Sequence, residues 1–379
     1  MAERALRVGF DGRALTSPAP GVRRYTRELV SGLIASGVPI EMVALGGSPA
    51  AIGGIQHRPA PWHPPTNFGW TVVGLARAAR GAALDVYHGP AYTAPLWGVH
   101  PLVLTIHDVS YARHPEWYPY RTDWMRRAFY RASARAADAV VTDSSFSKQE
   151  IVEAYNLAPD RIEVIPLGVS DVFRPAPATA HLESGGHGDS RTAGITRKPF
   201  ILHVGDLHPR RKVDVALRAL IEARRSRSVG DITLVLAGVD RGVGEALTRT
   251  ATDAGAPDAL VLAGAVDEPT LIALYQHALA FVYPSVYEGF GLPLLEAMAC
   301  GAPVIAARAA TAAEVTGTAA LLVPPDDQAA WVEALTVVLT DPERAASMRA
   351  SGVTRAAAFT WARTAARTYE VYRRTAAHA

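Results

Sequence analysis

The feature that most constrains this 379-residue chain is an alternation of short apolar runs with helical spacing that occurs, breaks off, and then starts again. In the first half Val8–Phe10, Pro39–Leu45, Asp85–His88, Leu102–His107, Ala139–Thr142 and Glu163–Pro166 read as strands. Arg24–Ala35, Arg121–Ala137 and Ser145–Tyr155 carry helical periodicity between them. Such alternation predicts a parallel sheet covered by helices, because parallel neighbours need a crossover connection. The break is Ala176–Lys198, rich in Gly, Ser, Thr and charge and without apolar period, which reads as a linker or surface loop. After it Phe200–Val204, Ile232–Ala237, Leu260–Leu262, Ala280–Tyr283 and Pro303–Ala306 read as strands, with helices over Val213–Arg224, Leu271–His277 and Leu294–Cys300. Three helical segments follow: Gln328–Leu339, Pro342–Ala350 and Trp361–Arg373. The expectation is an α/β chain of two domains, 1–172 and 199–359, joined by a linker over 173–198. A cleft between such domains, at the carboxyl ends of strands, is where ligands bind in open α/β sheets.

Composition excludes several classes. Hydrophobic residues make up 49% and charged residues 20%, the balance of a globular enzyme. A net charge of +2 gives nucleic-acid binding no support. Cys300 is the only cysteine, so no disulfide can form within the chain; a reducing compartment fits, and Cys300 reads as core filler. The N-terminus has no apolar signal region, and no run of about eighteen apolar residues exists. The expected location is cytoplasmic, including the inner face of the cell membrane.

"YEGFGLPLLEAMACGAPVIAA" (Tyr287–Ala307) packs two acids, glycines and prolines into an apolar stretch. Strand Ala280–Tyr283 ends before it and Pro293 opens a helix, placing Glu288 in the loop and Glu296 in the first helical turn. Unpaired backbone N–H groups and the dipole at that helix start suit a phosphate. Gly289 and Gly291 permit close backbone approach, and two carboxylates suit hydroxyl groups. Phosphate with many hydroxyls describes a sugar nucleotide. The competing reading is that acids in a first helical turn merely favour the dipole.

"PSVYEGFGLPLLEAMACGAPVIAA" resembles the Glu-x7-Glu motif of retaining glycosyltransferases of the two-domain GT-B fold, in glycosyltransferase family 4, also called group 1. The resemblance covers most of the chain except residues near 46–80 and the linker. It implies two Rossmann-like domains, the helix at about 360–379 packing back on the first. It also implies that Glu288 meets donor-sugar hydroxyls, Glu296 the ribose, and the backbone of Gly289, Phe290, Gly291 and Leu292 the sugar and phosphate. "LHVGDLHPRRKV" (Leu202–Val213) is similar to the family's diphosphate site, with Gly205 after a strand and Arg210 at the family's arginine. An ungapped comparison puts Arg211 at its lysine and Lys212 at its asparagine, leaving the lysine role open between the two. Arginine and lysine there can neutralise a diphosphate leaving group.

"TIHDVSYARHPEWYP" (Thr105–Pro119) resembles the His-Asp station that faces the donor sugar, so His107 is taken as a sugar-positioning or polarising group. Asp108 is as readily a loop cap, and His114, Glu116 and Tyr118 read as surface loop before acceptor contacts. "PAPGVRRYTREL" (Pro18–Leu29) is similar to the N-terminal glycine loop, with Gly21 in place and Arg23 where a second glycine usually stands. That departure suggests an acceptor matched to a guanidinium, such as an anionic one; the alternative is that Arg23 points to solvent. Arg127, Arg131 and Arg135 form a basic stripe, read first as a solvated face and second as a peripheral membrane contact.

The implied activity is transfer of a sugar from a nucleotide-diphosphate sugar, GDP-mannose first, to a glycan, lipid or small-molecule acceptor. No metal or cofactor is implied, since no Asp-x-Asp motif is present. The alternatives are a sugar-nucleotide epimerase or sugar phosphorylase of the same fold, or a non-catalytic nucleotide-sugar-binding subunit.

Overall fold

The computed structural model describes residues 4–47, 52–60, 64, 66–118, 122–177 and 194–377. The chain divides into two units: Met1–Gly168 with Thr360–Ala379, and Val169–Phe359.

The first unit holds a seven-stranded sheet of β1 (Leu6–Asp11), β2 (Ile40–Leu45), β3 (Ile55–Arg58), β4 (Val86–Gly89), β5 (Leu102–Thr105), β6 (Ala139–Thr142) and β7 (Ile162–Val164). Their order is β3-β2-β1-β4-β5-β6-β7 and every pairing is parallel. The second unit holds six, β8 (Phe200–Val204), β9 (Thr233–Ala237), β10 (Leu260–Gly264), β11 (Ala280–Tyr283), β12 (Val304–Ala307) and β13 (Ala320–Val323). They run β10-β9-β8-β11-β12-β13, again all parallel. Strand order reverses between β1 and β4 and between β8 and β11. In doubly wound sheets that reversal opens a crevice beyond the carboxyl ends of the two strands.

The inner strands are buried on both faces, as in β9 (TLVLA) and β11 (AFVY), because helices cover each side of a parallel sheet. β3 (IQHR) instead alternates half-buried and exposed at the sheet edge. The helix Trp361–Ala377 buries Trp361, Thr364, Ala365, Thr368, Tyr369 and Tyr372, an apolar stripe of helical period. It belongs to the first unit, where Thr364 Oγ1 donates to the Pro166 carbonyl at 2.8 Å.

Several elements differ from the sequence reading. β5 stops at Thr105, so His107 lies in the loop beyond it. The helix expected over Arg121–Ala137 is Trp124–Ala136, opened by Asp123, whose side chain accepts from the Arg126 amide; Arg121 lies outside the described residues. The helix expected to end at Ala350 continues to Ala356. Phe173 and Arg174, at the start of the expected linker, are packed: Phe173 is buried against Tyr275, and the Arg174 carbonyl accepts from Gln276 Nε2 at 2.7 Å. Residues 178–193 of that linker lie outside the described residues.

Two buried imidazoles make stability pH-dependent. His88 takes its place in a chain of hydrogen bonds, Nε2 to Thr105 Oγ1 at 2.8 Å and Nδ1 to Tyr372 Oη at 2.6 Å. His203 is fully buried and its Nδ1 meets the Val282 carbonyl at 3.0 Å. Burial lowers both from 6.5 to about 3; His107 adds to the effect at His88 and the Arg211 charge at His203. Each ring is therefore neutral in the folded protein at pH 5 but protonated in the unfolded chain. The unfolded state then binds more protons, and stability falls as pH drops from 6.5 toward 3. The slope is about 1.4 kcal/mol per pH unit per ring. Urea unfolding at pH 7.5 and 5.0 is expected to show this loss, reduced in His203→Gln. An unchanged loss in that variant counts against His203 as a source.

Candidate active site

In the second unit the carboxyl ends of β8 and β11 supply the charged residues. Beyond β8 comes Gly205, with φ at 133°, a conformation that favours glycine. A Cβ there would stand 3.1 Å from the Arg211 guanidinium carbon, so the glycine makes the space that the guanidinium fills. A short 3-10 turn, Pro209–Arg211, then directs Arg211 back over the sheet. Arg211 Nη1 lies 2.6 Å from Glu288 Oε1, donates to Tyr283 Oη, and reaches Ser285 Oγ at 3.4 Å. Its guanidinium stands 5.3 Å from the Tyr283 ring centre, and His203 stacks on the same ring. Arg211 and Glu288 are 9% and 8% exposed, and Arg211 Nε has no hydrogen-bond partner. Arg210 Nη2 stands 4.0 Å from Glu288 Oε2, and its carbonyl accepts from the Val286 amide at 3.0 Å. Two cations therefore flank one carboxylate at the point where strand order reverses.

Lys212 goes elsewhere. It caps the turn at φ 44°, in the left-handed region, and its Nζ pairs with Asp326. Asparagine is the residue that tolerates this region best after glycine.

Gly291 is also left-handed, at φ 96°, and caps the helix Leu292–Ala299. Because the helix starts at Leu292, Glu296 lies in its second turn, not the first, and the dipole does not account for it. Glu296 is 3% exposed and its Oε2 accepts from Tyr275 Oη at 3.0 Å. Phe290 presents its side chain to the core, edge-on to Phe359, while its carbonyl accepts from Thr311 Oγ1 at 2.6 Å. Only its backbone is left for a ligand. Burial, with Glu296 nearby, pushes the Cys300 thiol up to about 12, as befits core filler.

In the first unit His107 Nδ1 lies 2.7 Å from Asp143 Oδ2, and Tyr25 meets the ring edge-on at 4.6 Å. Asp108 is a local cap, accepting from the Ser110 amide at 2.9 Å. His114 stacks on Trp117, with Nδ1 3.2 Å from Glu116 Oε1, and Tyr118 Oη meets Ser110 Oγ. Gly21 and Arg23 open the helix Pro20–Ala35, and Arg23 Nη1 donates to the Ser17 carbonyl at 2.6 Å, folding back rather than pointing out. Two members of the basic stripe are latched to backbone: Arg131 donates to the Ala154 carbonyl and Arg135 to that of Tyr155. Sequence reasoning missed Asp143, Tyr275, Tyr283 and Ser285. Only the position of Asp143, one residue past a strand end beside His107, could have signalled any of them.

Two doubly wound parallel sheets, each with polar residues gathered at its carboxyl edge, define the GT-B class of enzymes. The glycosyltransferase family 4 model matches residues 20–172 and the group 1 glycosyl transferase model residues 189–355. An O-antigen chain mannosyltransferase B of Escherichia coli is 30% identical over 293 residues, 76% of this chain and 74% of that protein. A D-inositol 3-phosphate glycosyltransferase of Thermobispora bispora is 33% identical over 294 residues, 73% of this chain and 65% of its own length. The chain belongs to the group 1, family 4 glycosyltransferases. Among solved structures, sucrose-phosphate synthase of Thermosynechococcus elongatus shares the fold at TM-score 0.73 and 21% identity over 100% of both chains. Anabaena HepE in complex with UDP and glucose shares it at TM-score 0.71 and 17% identity, over 97% and 99% of the two chains.

Proposed function

We propose that the protein is a retaining glycosyltransferase that uses a nucleotide-diphosphate sugar. The observation that carries this is the buried Arg211–Glu288 pair seated against Gly205 at the carboxyl edge of β8 and β11. A buried ion pair is a poor stabilising device, since desolvation offsets its attraction. At a strand-order reversal, its use is in ligand chemistry. Arg210 and Arg211 hold the diphosphate and Glu288 the sugar hydroxyls, with the backbone of Gly205, Gly289, Phe290, Gly291 and Leu292 against sugar and phosphate. Glu296 takes the ribose and His107 the donor sugar. The bond from the anomeric carbon to the diphosphate oxygen breaks as the acceptor oxygen bonds on the same face, and the acceptor's proton passes to the leaving diphosphate. Catalysis is then positioning and charge stabilisation.

The mannosyltransferase relative makes GDP-mannose the first donor to test, and HepE with UDP and glucose makes UDP-glucose the second. The relatives named for D-inositol 3-phosphate, together with Gly21 and Arg23 at the head of this chain's helix Pro20–Ala35, favour an anionic acceptor among the glycan, lipid and small-molecule classes. The test is a thermal-shift screen over nucleotide sugars followed by product analysis. One donor should raise the melting temperature and give a glycoside of retained configuration. Epimerised donor, sugar phosphate, or binding without turnover would replace this reading by one of the alternatives. Because arginines carry the diphosphate charge, activity is expected to survive EDTA; loss restored by magnesium or manganese contradicts that part.

Among the described residues no helix is long and apolar enough to cross a membrane. The proposed location is cytoplasmic, at the inner membrane face. Trp124 and Met125, 67% and 65% exposed, stand at the head of the helix that carries Arg127. Sedimentation with anionic phospholipid vesicles should fall at least about fivefold in Trp124→Ser/Met125→Ser if this face touches lipid. Equal sedimentation removes this face from the account.

A further inference from the structure

β5 and β6 run parallel with Thr105 opposite Val141. Two residues on, each strand delivers a polar side chain to the same edge, His107 from one and Asp143 from the other. Asp143 Oδ2 accepts from His107 Nδ1 at 2.7 Å, and the carboxylate is 2% exposed. The other carboxylate oxygen, Oδ1, and the other ring nitrogen, Nε2, are both buried without a hydrogen-bond partner. The backbone around the ring is fixed from β6 and the helix that follows it. Thr142 Oγ1 donates to the Ile106 carbonyl at 2.7 Å and Ser147 Oγ to the His107 carbonyl at 3.0 Å. Tyr25 meets the ring edge-on at 4.6 Å and Tyr92 at 5.9 Å. A carboxylate is costly to bury and is kept where its charge acts on a neighbour. The neighbour here is a ring with Nδ1 satisfied and Nε2 buried without a hydrogen-bond partner of normal geometry.

We propose that Asp143 is a positioning residue that holds the His107 imidazole with a proton on Nδ1 and leaves Nε2 as the atom offered to the donor sugar. This rests on the reading of His107 given under the proposed function. The charged and polar groups facing the ring are Asp143, Asp108, Tyr25, Tyr92, the Pro90 carbonyl and His88, which is itself neutral. Burial works against charge on His107, but Asp143 first, then Asp108 and the Pro90 carbonyl, outweigh it and raise the ring above 6.5. With Asp143 neutralised, burial prevails and proton affinity drops.

Nitrogen-15 NMR of the histidine side chains in the full chain tests this directly. His107 should carry its neutral-form proton on Nδ1 and titrate above pH 6.5. In Asp143→Asn the titration should move down by at least about one pH unit, a tenfold loss of proton affinity. With donor and acceptor, kcat of Asp143→Asn should fall about 10- to 100-fold while the donor KM stays within about threefold. The low-pH limb of the rate profile should move down with it. Asp143→Asn combined with His107→Gln should be no slower than His107→Gln alone. Titration of His107 at the same pH in both proteins, a neutral-form proton on Nε2 in the wild type, or penalties that multiply would overturn the proposal. If Asp143→Asn does not fold, the wild-type tautomer and titration decide alone. If no nucleotide sugar turns over, the NMR result still stands or falls by itself, and the failure belongs to the transfer reading.

Discussion

Arg211→Ala is expected to lower kcat about 10²- to 10³-fold, the scale for loss of one preorganised group at a charged transition state. Lys212→Ala should stay within about threefold. The difference follows from where the chain puts two adjacent cations. Arg211 is buried between Glu288, Tyr283 and Ser285, with Nε buried and without a hydrogen-bond partner. Lys212 is turned aside by a left-handed backbone to Asp326. Removing Arg211 also strips the buried Glu288 of its nearest counter-charge, which costs about 3–5 kcal/mol of stability. Folding must therefore be checked by circular dichroism, with Arg211→Gln as the milder variant. Arg211→Lys keeps the charge but loses the planar fork, and should fall about tenfold. Lys212→Asn should keep activity and gain up to about 1 kcal/mol, because asparagine suits φ 44° better. Equal loss of kcat in Lys212→Ala and Arg211→Ala would return the leaving-group role to both.

Gly205→Ala reaches the same group by another route. The new methyl would press on the guanidinium carbon from 3.1 Å in a backbone conformation that side chains rarely adopt. It should reduce kcat with Arg211 itself intact.

What the sequence made legible is physical in origin. β9 and β11 could be read because a strand covered on both faces must be continuously apolar. β3 could not, since IQHR is an edge strand with polar residues on its open side. The helix Gly244–Asp253 was missed for a related reason: it buries only Gly244, Leu247 and Ala251, too sparse a stripe to show a period. At the site, the spacing of Glu288 and Glu296 and the basic run after β8 are local and were readable. The turn that decides which cation faces Glu288 is a backbone event at Lys212, which residue identity does not announce. Asp143 was hidden because it stands directly before a helix cap. Ser144 does cap the helix Ser145–Tyr155, and only the β5–β6 register shows that its neighbour serves His107.

The two glutamates are expected to fail in different ways. Glu288 lies beside both arginines, 2.6 Å from Arg211 and 4.0 Å from Arg210, where charge moves as the sugar departs from the diphosphate. Interactions that strengthen only as charge develops appear in kcat. Glu288→Gln should lower kcat about 10²-fold and move the donor KM by no more than about threefold. Glutamine is the variant to use, because it keeps an acceptor oxygen beside the buried Arg211, which alanine would remove along with the charge. Glu296 is one helical turn deeper and held by Tyr275 Oη at 3.0 Å. A group that grips the ribose does so equally before and during transfer, and such uniform binding appears in KM. Glu296→Gln should raise the donor KM at least about tenfold, the value of one charge-assisted hydrogen bond, with kcat nearly kept. Tyr275→Phe removes the hydroxyl that orients Glu296 and should raise the same constant by a smaller factor, without touching kcat. The comparison is internal to one substrate and one assay, so it does not depend on which sugar proves to be transferred. Wild-type kcat and KM in both glutamate variants would sink the site assignment, and a kcat loss in Glu296→Gln as large as in Glu288→Gln would mean that the two acids act on the reacting end of the donor together.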